Sequence, residues 1–190
     1  TVDYAACARD VAFLLEHGRF RMLETAAHVI ARYLLAPPAR GERRARVEQV
    51  RVELRKPEAL QHRATPRLAI ERTSEGLAYV VEQKPFGTVD VIHQTRDVGI
   101  YRLNLAPGGT IPLHVHRVME EAELVLTAGL RCQGKPVAAG TAHRWPKDAA
   151  HLYENPTDRW QSILCIDSPP FIEADEIPTE GLPAEVAAEP

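Results

Sequence analysis

The hydrophobic period of this 190-residue chain changes once, near Thr73-Ser74-Glu75-Gly76. A chain that switches from period 3.6 to period 2 cannot be a uniform bundle or a uniform β-barrel. Before the switch, Asp3 can cap a helix whose apolar stripe is Val11, Leu14 and Leu15, with His17-Gly18 ending it. A second helix starts at about Arg21, with Leu23, Ala26, Ala27, Ile30 and Leu34 at helical spacing, and Pro37-Pro38 stops it. Arg40 to Arg46 reads as a solvated basic loop. Val50, Val52 and Leu54 then alternate with Arg51, Glu53 and Arg55, the pattern of a half-buried strand. Lys56 falls on the apolar parity of that strand, where a charge needs a partner. Arg67 to Arg72 reads as a further strand, with Leu68 and Ile70 on one face. After Gly76 come short runs at Tyr79–Val81, Val89–Ile92, Ile100–Leu105, Glu123–Leu126 and Ser162–Ile166, punctuated by Gly, Pro and Asp. That spacing predicts a sandwich or barrel.

Composition narrows the function classes. The net charge of −3 lacks the basic excess of a general nucleic-acid binder. No apolar run reaches the length of a membrane span. Cys7, Cys132 and Cys165 are odd in number and form no C-x-x-C pair, so each reads as packing. With no signal-peptide pattern at the start, a reduced cytoplasmic compartment is expected.

The chemistry-bearing residues cluster in the β part. His114 and His116 stand two apart, so on a strand both face one side. A glutamate follows at 120 or 121, and His151 comes later. Imidazole and carboxylate together suit a first-row divalent ion: iron, manganese, nickel, zinc or copper. Glu120 is preferred as the carboxylate, because it shares parity with Ala122, Leu124 and Leu126, the apolar set expected to face inward. Glu121 is the alternative. His143 fits no ligand position and reads as a surface residue or a neighbour of the ligands.

These residues resemble the two motifs of the cupin superfamily. Gly108, His114, His116 and Glu120 or Glu121 are similar to the first, although Gly129 comes late for its closing glycine. Gly140, Pro146, His151 and Asn155 are similar to the second, with Asp148 where the family has glycine. The resemblance implies a jelly-roll barrel holding one divalent metal on His114, His116, Glu120 (or Glu121) and His151, over residues 74–172.

The first half carries a second resemblance. Val2-Asp3-Tyr4, Leu23-Glu24-Thr25 and Arg55-Lys56-Pro57 are similar, in order, to landmarks of dihydroneopterin aldolase, over residues 1–73. That implies the second half of a tunnelling fold, α-α-β-β, with Glu24 accepting hydrogen bonds from a pterin edge and Lys56 and Tyr4 moving protons in a retro-aldol cleavage. No metal is needed there. The family domain opens with two further strands and another glutamate. The complete site would therefore draw on residues upstream or on another chain, unless the domain is degenerate.

Three functions are open at this stage. One is a pterin-binding or aldolase-like protein of folate metabolism joined to a metal-binding cupin. Another is a metal-dependent cupin enzyme, oxygenase or isomerase, whose first half is an oligomerisation module. The last is a non-catalytic cupin that binds a small molecule. A two-stranded sheet under two helices is a thin core, so a homo-oligomer is expected. Residues 173–190, with six acidic residues, three prolines and no basic ones, read as an arm that becomes disordered.

Overall fold

In the computed structural model, which describes residues 2–39, 44–61 and 63–181, Asp3 caps helix α1 (Tyr4–His17) by accepting from Ala6 N–H at 3.0 Å. The chain divides into two units, the first comprising residues up to Pro38 with Arg44–Tyr79, the second the residues from Val80 on. Residues 40–43 of the basic loop and 182–190 of the acidic tail lie outside the described residues.

In the first unit, α1 buries Phe13 and Leu14 and leaves Leu15 45% exposed, so the apolar stripe is rotated from the expected one. Asp10 is buried on that face because Tyr33 of α2 (Leu23–Leu35) donates its hydroxyl to it at 2.7 Å. Burying a carboxylate is tolerable only when it is so paired, and Arg9 adds a second partner at 2.7 Å. Helix α2 buries Ala26, Ala27, Val29 and Ile30 and lies against both strands of an antiparallel pair, β1 (Gln49–Arg55) and β2 (Arg67–Thr73). Val52 is the buried centre of β1, as its alternation predicts. Arg44 returns to the end of α2, donating to Ala36 O at 2.6 Å.

Among the described residues, the second unit is all β apart from one short turn of helix. Its strands are β3 (Val80–Lys84), β4 (Gly87–Gln94), β5 (Gly99–Leu105), β6 (Thr110–Val115), β7 (Glu120–Val125), β8 (Arg131–Cys132), β9 (Lys135–Pro136), β10 (Ala142–Trp145), β11 (His151–Glu154), β12 (Gln161–Ser168) and β13 (Ile177–Pro178). A 3-10 turn, Glu173–Asp175, precedes β13. Six strands form one antiparallel sheet in the order β10-β7-β12-β5-β4-β3, and five form another in the order β13-β6-β11-β8-β9. Leu105, Val125 and Ile163 from the first sheet pack with Ile111, Cys132 and Tyr153 from the second, which makes a barrel closed at that end by side chains. Residues 173–178 of the expected tail belong to this barrel, because β13 pairs with β6.

Register explains why the other end is polar. Val125, Ile163 and Leu103 lie side by side across the six-stranded sheet; two residues along come Glu123, Cys165 and Tyr101, then Glu121 and Asp167. The inner face thus grades from apolar to acidic along each strand. The opposite face of the same strands is also buried, with Leu124, Leu164 and Ile166. It carries a polar network in which Asp90 accepts from Arg102 at 2.6 Å and from Asn104 at 3.0 Å.

Candidate metal centre

The acidic end of the inner face meets three imidazoles. His114 on β6 pairs in register with His151 on β11, and their rings lie 4.2 Å apart. His116 follows β6 directly, and its ring lies 4.8 Å from that of His114. Glu121 on β7 completes the group: its Oε2 is 2.8 Å from His151 Nε2 and 3.3 Å from His116 Nε2. The ligand atoms of all four residues lie within 4.8 Å of one another, and all four residues are buried.

Each ring is held by its other nitrogen. The Nδ1–H of His114 donates to Pro112 O at 2.7 Å, that of His116 to Asp175 O at 2.8 Å, and that of His151 to Ala149 O at 3.0 Å. A carbonyl only accepts, so the neutral tautomer carries its proton on Nδ1 and turns the Nε2 lone pair inward. Inward lone pairs facing a carboxylate are stable only with a proton or a cation between them. His116 Nε2 and Glu121 Oε2 are buried and face only one another and His151 Nε2, an arrangement that fits a shared ion. These four residues could hold one divalent metal.

Electrostatics in the metal-free state point the same way. Burial pushes His114 down to about 4. Burial also lowers His116 and His151, but the hydrogen bond and charge of Glu121 outweigh it and both end above their ordinary value. Burial raises Glu121, and its bonds to His116 and His151 outweigh that and hold it well below the usual carboxylate range. Glu123, next on the same face, is pushed up to about 7 by burial and by the charge of Glu121.

The group opens on a cavity of about 160 Å³ whose further wall includes Lys84, Phe86, Tyr101 and Phe171. Residues 1–73 match a known family, FolB: Dihydroneopterin aldolase. The chain joins a dihydroneopterin aldolase-like region to a β-barrel. No curated protein matches it. Among solved structures, it is similar to a protein from Planctomyces limnophilus, with 21% identity over 52% of this chain and 88% of that one and a TM-score of 0.43. It is also similar to KdgF from Halomonas sp., with 14% identity over 52% of this chain and 90% of that one and a TM-score of 0.43. A further similar structure is an RmlC-like cupin from Shewanella frigidimarina, with 15% identity over 50% of this chain and 86% of that one and a TM-score of 0.43.

Within the barrel, the glutamate beside the histidines is Glu121 and not Glu120. The preference for Glu120 assumed that the apolar parity of β7 faces the cavity. Ala122 and Leu124 face away from it instead, onto a side that is buried as well, while Glu121 and Glu123 line the cavity. His143 is buried and not on the surface; it stacks on Trp145 at 5.4 Å, and Trp145 stacks on His151 at 4.7 Å with 5° between the rings. Asp148 has φ +64°, the left-handed region that glycine favours, which accounts for glycine in the motif. Asn155 is a structural pin, donating to Leu105 O at 3.0 Å and Ala106 O at 2.9 Å.

In the aldolase-like region the three expected residues are all at the surface. Tyr4 is 80% exposed, and Glu24 and Lys56 are exposed too. Strand β1 ends at Arg55, so Lys56 lies in the following turn and not on the apolar face; its N–H donates to Pro66 O at 3.0 Å. No hydrogen bond or ion pair joins Glu24 to Lys56 among the described residues. Sequence reasoning passed over Glu123, Trp145, Asp167 and Asp175. The only local signal for the first was its parity with Glu121.

Proposed function

We propose that the cupin-like barrel is a metal-dependent enzyme site acting on a small molecule, and that the aldolase-like region assembles subunits. The donor set supports this reading: three Nε2 lone pairs and a carboxylate oxygen converge, with every imidazole oriented by an Nδ1–H···O=C bond. Imidazole and carboxylate suit iron, manganese, nickel, zinc or copper. When bound, such an ion supplies Lewis-acid polarisation of a coordinated oxygen. The chain's own residues supply the rest. Glu123, buried on the cavity wall beside Glu121 and accepting from Trp145 Nε1–H, is the carboxyl placed to exchange a proton with a molecule bound there. Phe86 and Phe171 narrow the space left to water.

Metal analysis of protein purified without chelator or affinity tag tests this. About one divalent ion per barrel is expected. It should be lost in the combined His114→Ala, His116→Ala, His151→Ala variant. Glu121→Gln should weaken metal binding more than about a hundredfold, beyond what loss of an outer partner costs, and Glu120→Gln should leave it near wild type. Metal retained by the triple variant overturns the assignment.

A second reading has a specific observation behind it, the family match over residues 1–73. On that reading a pterin binds at a subunit boundary, with Glu24 accepting from its amino group and ring N–H and with Lys56 and Tyr4 exchanging protons. The exposure of all three residues leaves them accessible to such a partner subunit.

A further inference from the structure

The segment after β12 reaches back across the barrel mouth and makes contacts that the proposed metal chemistry has not used. Asp175 sits at its centre, 5% exposed. Its Oδ1 accepts from Arg117 N–H at 3.0 Å and Val118 N–H at 3.2 Å. Its Oδ2 accepts from Val118 N–H at 2.9 Å and Met119 N–H at 2.9 Å. These three amides form the turn between His116 and Glu121. The backbone oxygen of the same residue accepts from His116 Nδ1–H at 2.8 Å. His114 and His151, by contrast, are held by carbonyls only two residues earlier in the chain, Pro112 O and Ala149 O.

We propose that Asp175 is a positioning residue for His116, its carboxylate pinning the 117–119 turn so that its own carbonyl fixes the tautomer and orientation of the ring. The inference rests on the barrel's being a metal site. It makes the strap from Ile172 to Thr179 part of that site. Thr179 N–H donates to Leu113 O at 3.2 Å and Ile172 N–H meets Met119 Sδ at 3.0 Å, so the strap is fastened on both sides of Asp175. Phe171 and Glu176, flanking Asp175 on this segment, line the cavity. Whatever loosens the strap therefore disturbs one ligand and one wall together. A carboxylate that accepts at both oxygens from consecutive amides is a strong, directional clamp. Asparagine can keep the Oδ1 contacts but presents an N–H₂ to the others.

The test has two readouts on the full-length chain. Zinc affinity, from competition with a chromophoric chelator, should fall about 10- to 100-fold in Asp175→Ala, the usual cost of losing an outer partner of a ligand. Asp175→Asn should recover part of that loss. In metal-free protein with ¹⁵N-labelled histidine, the His116 Nδ1–H resonance should be protected in wild type and lost in Asp175→Ala. A folded Asp175→Ala with wild-type zinc affinity overturns the proposal, since a merely structural role would lower the melting point and leave affinity alone. If Asp175→Ala does not fold, Asp175→Asn decides by the same two measurements, with about a tenfold loss expected and unchanged affinity overturning it. Failure of wild type to bind zinc would sink the metal reading. The His116 resonance still separates the cases: if it is unmoved by substitution at Asp175, the positioning role is refuted as well.

Discussion

Glu120 and Glu121 are neighbours, and which of them meets the histidines depends on which face of β7 turns inward. Parity arguments rest on one buried face and one wet face. Strand β7 has two buried faces, so apolar character marks neither as the cavity side. His28 shows what a single residue contributes on the other unit. It lies on α2, partly buried; burial first, then Arg32 and Arg72, hold its imidazole below the ordinary 6.5. A histidine whose folded value is depressed contributes stability that is full above the unfolded value and is lost as pH falls through the folded one. Thermal unfolding of the full chain between about pH 7.5 and pH 5 should therefore show a steeper loss in wild type than in His28→Gln. Parallel curves for the two proteins would remove His28 from the account.

At the scale of elements, the strands that were legible, in whole or in part, are those long enough to show alternation or a β-branched run: β1 to β5, β7 and β12. Strands β8, β9 and β13 have two residues each, too few for a period to appear. Strand β11 carries a register shift between His151 and Tyr153, which no composition rule marks. Strands β1 and β2 pair only with each other among the described residues, so each presents an outer edge of unpaired backbone groups. Such edges invite pairing with another chain. Sedimentation of the full chain should show a dimer or larger species. A clean monomer at high micromolar concentration would contradict both this expectation and the assembly role given to the first unit.

For the whole molecule, the question is which unit takes which ligand. Neopterin titrated into wild type and Glu24→Gln addresses it. If the pterin reading holds, loss of the charged acceptor should weaken binding about ten- to a hundredfold, from a charged hydrogen bond of roughly 1.5–3 kcal/mol. Equal affinity would leave Glu24 as a helix-surface residue. Binding lost only in the His114, His116, His151 triple variant would move the ligand to the barrel. The sequence alone determined the order helix, helix, strand, strand, then β to the end, because periodicity records which face of each element leaves water. It also determined three of the four converging side chains, His114, His116 and His151, because turns and strand parity make motif spacing a local property. Tertiary structure decided the rest. It chose Glu121 over Glu120 by burying both faces of β7, and it left Lys56, just past the end of β1, and Glu24, on the outer side of α2, exposed. It also brought Asp175 to His116 across 59 residues of chain. A contact at that separation is set by how the barrel closes, and neither residue's neighbours in sequence carry a trace of it.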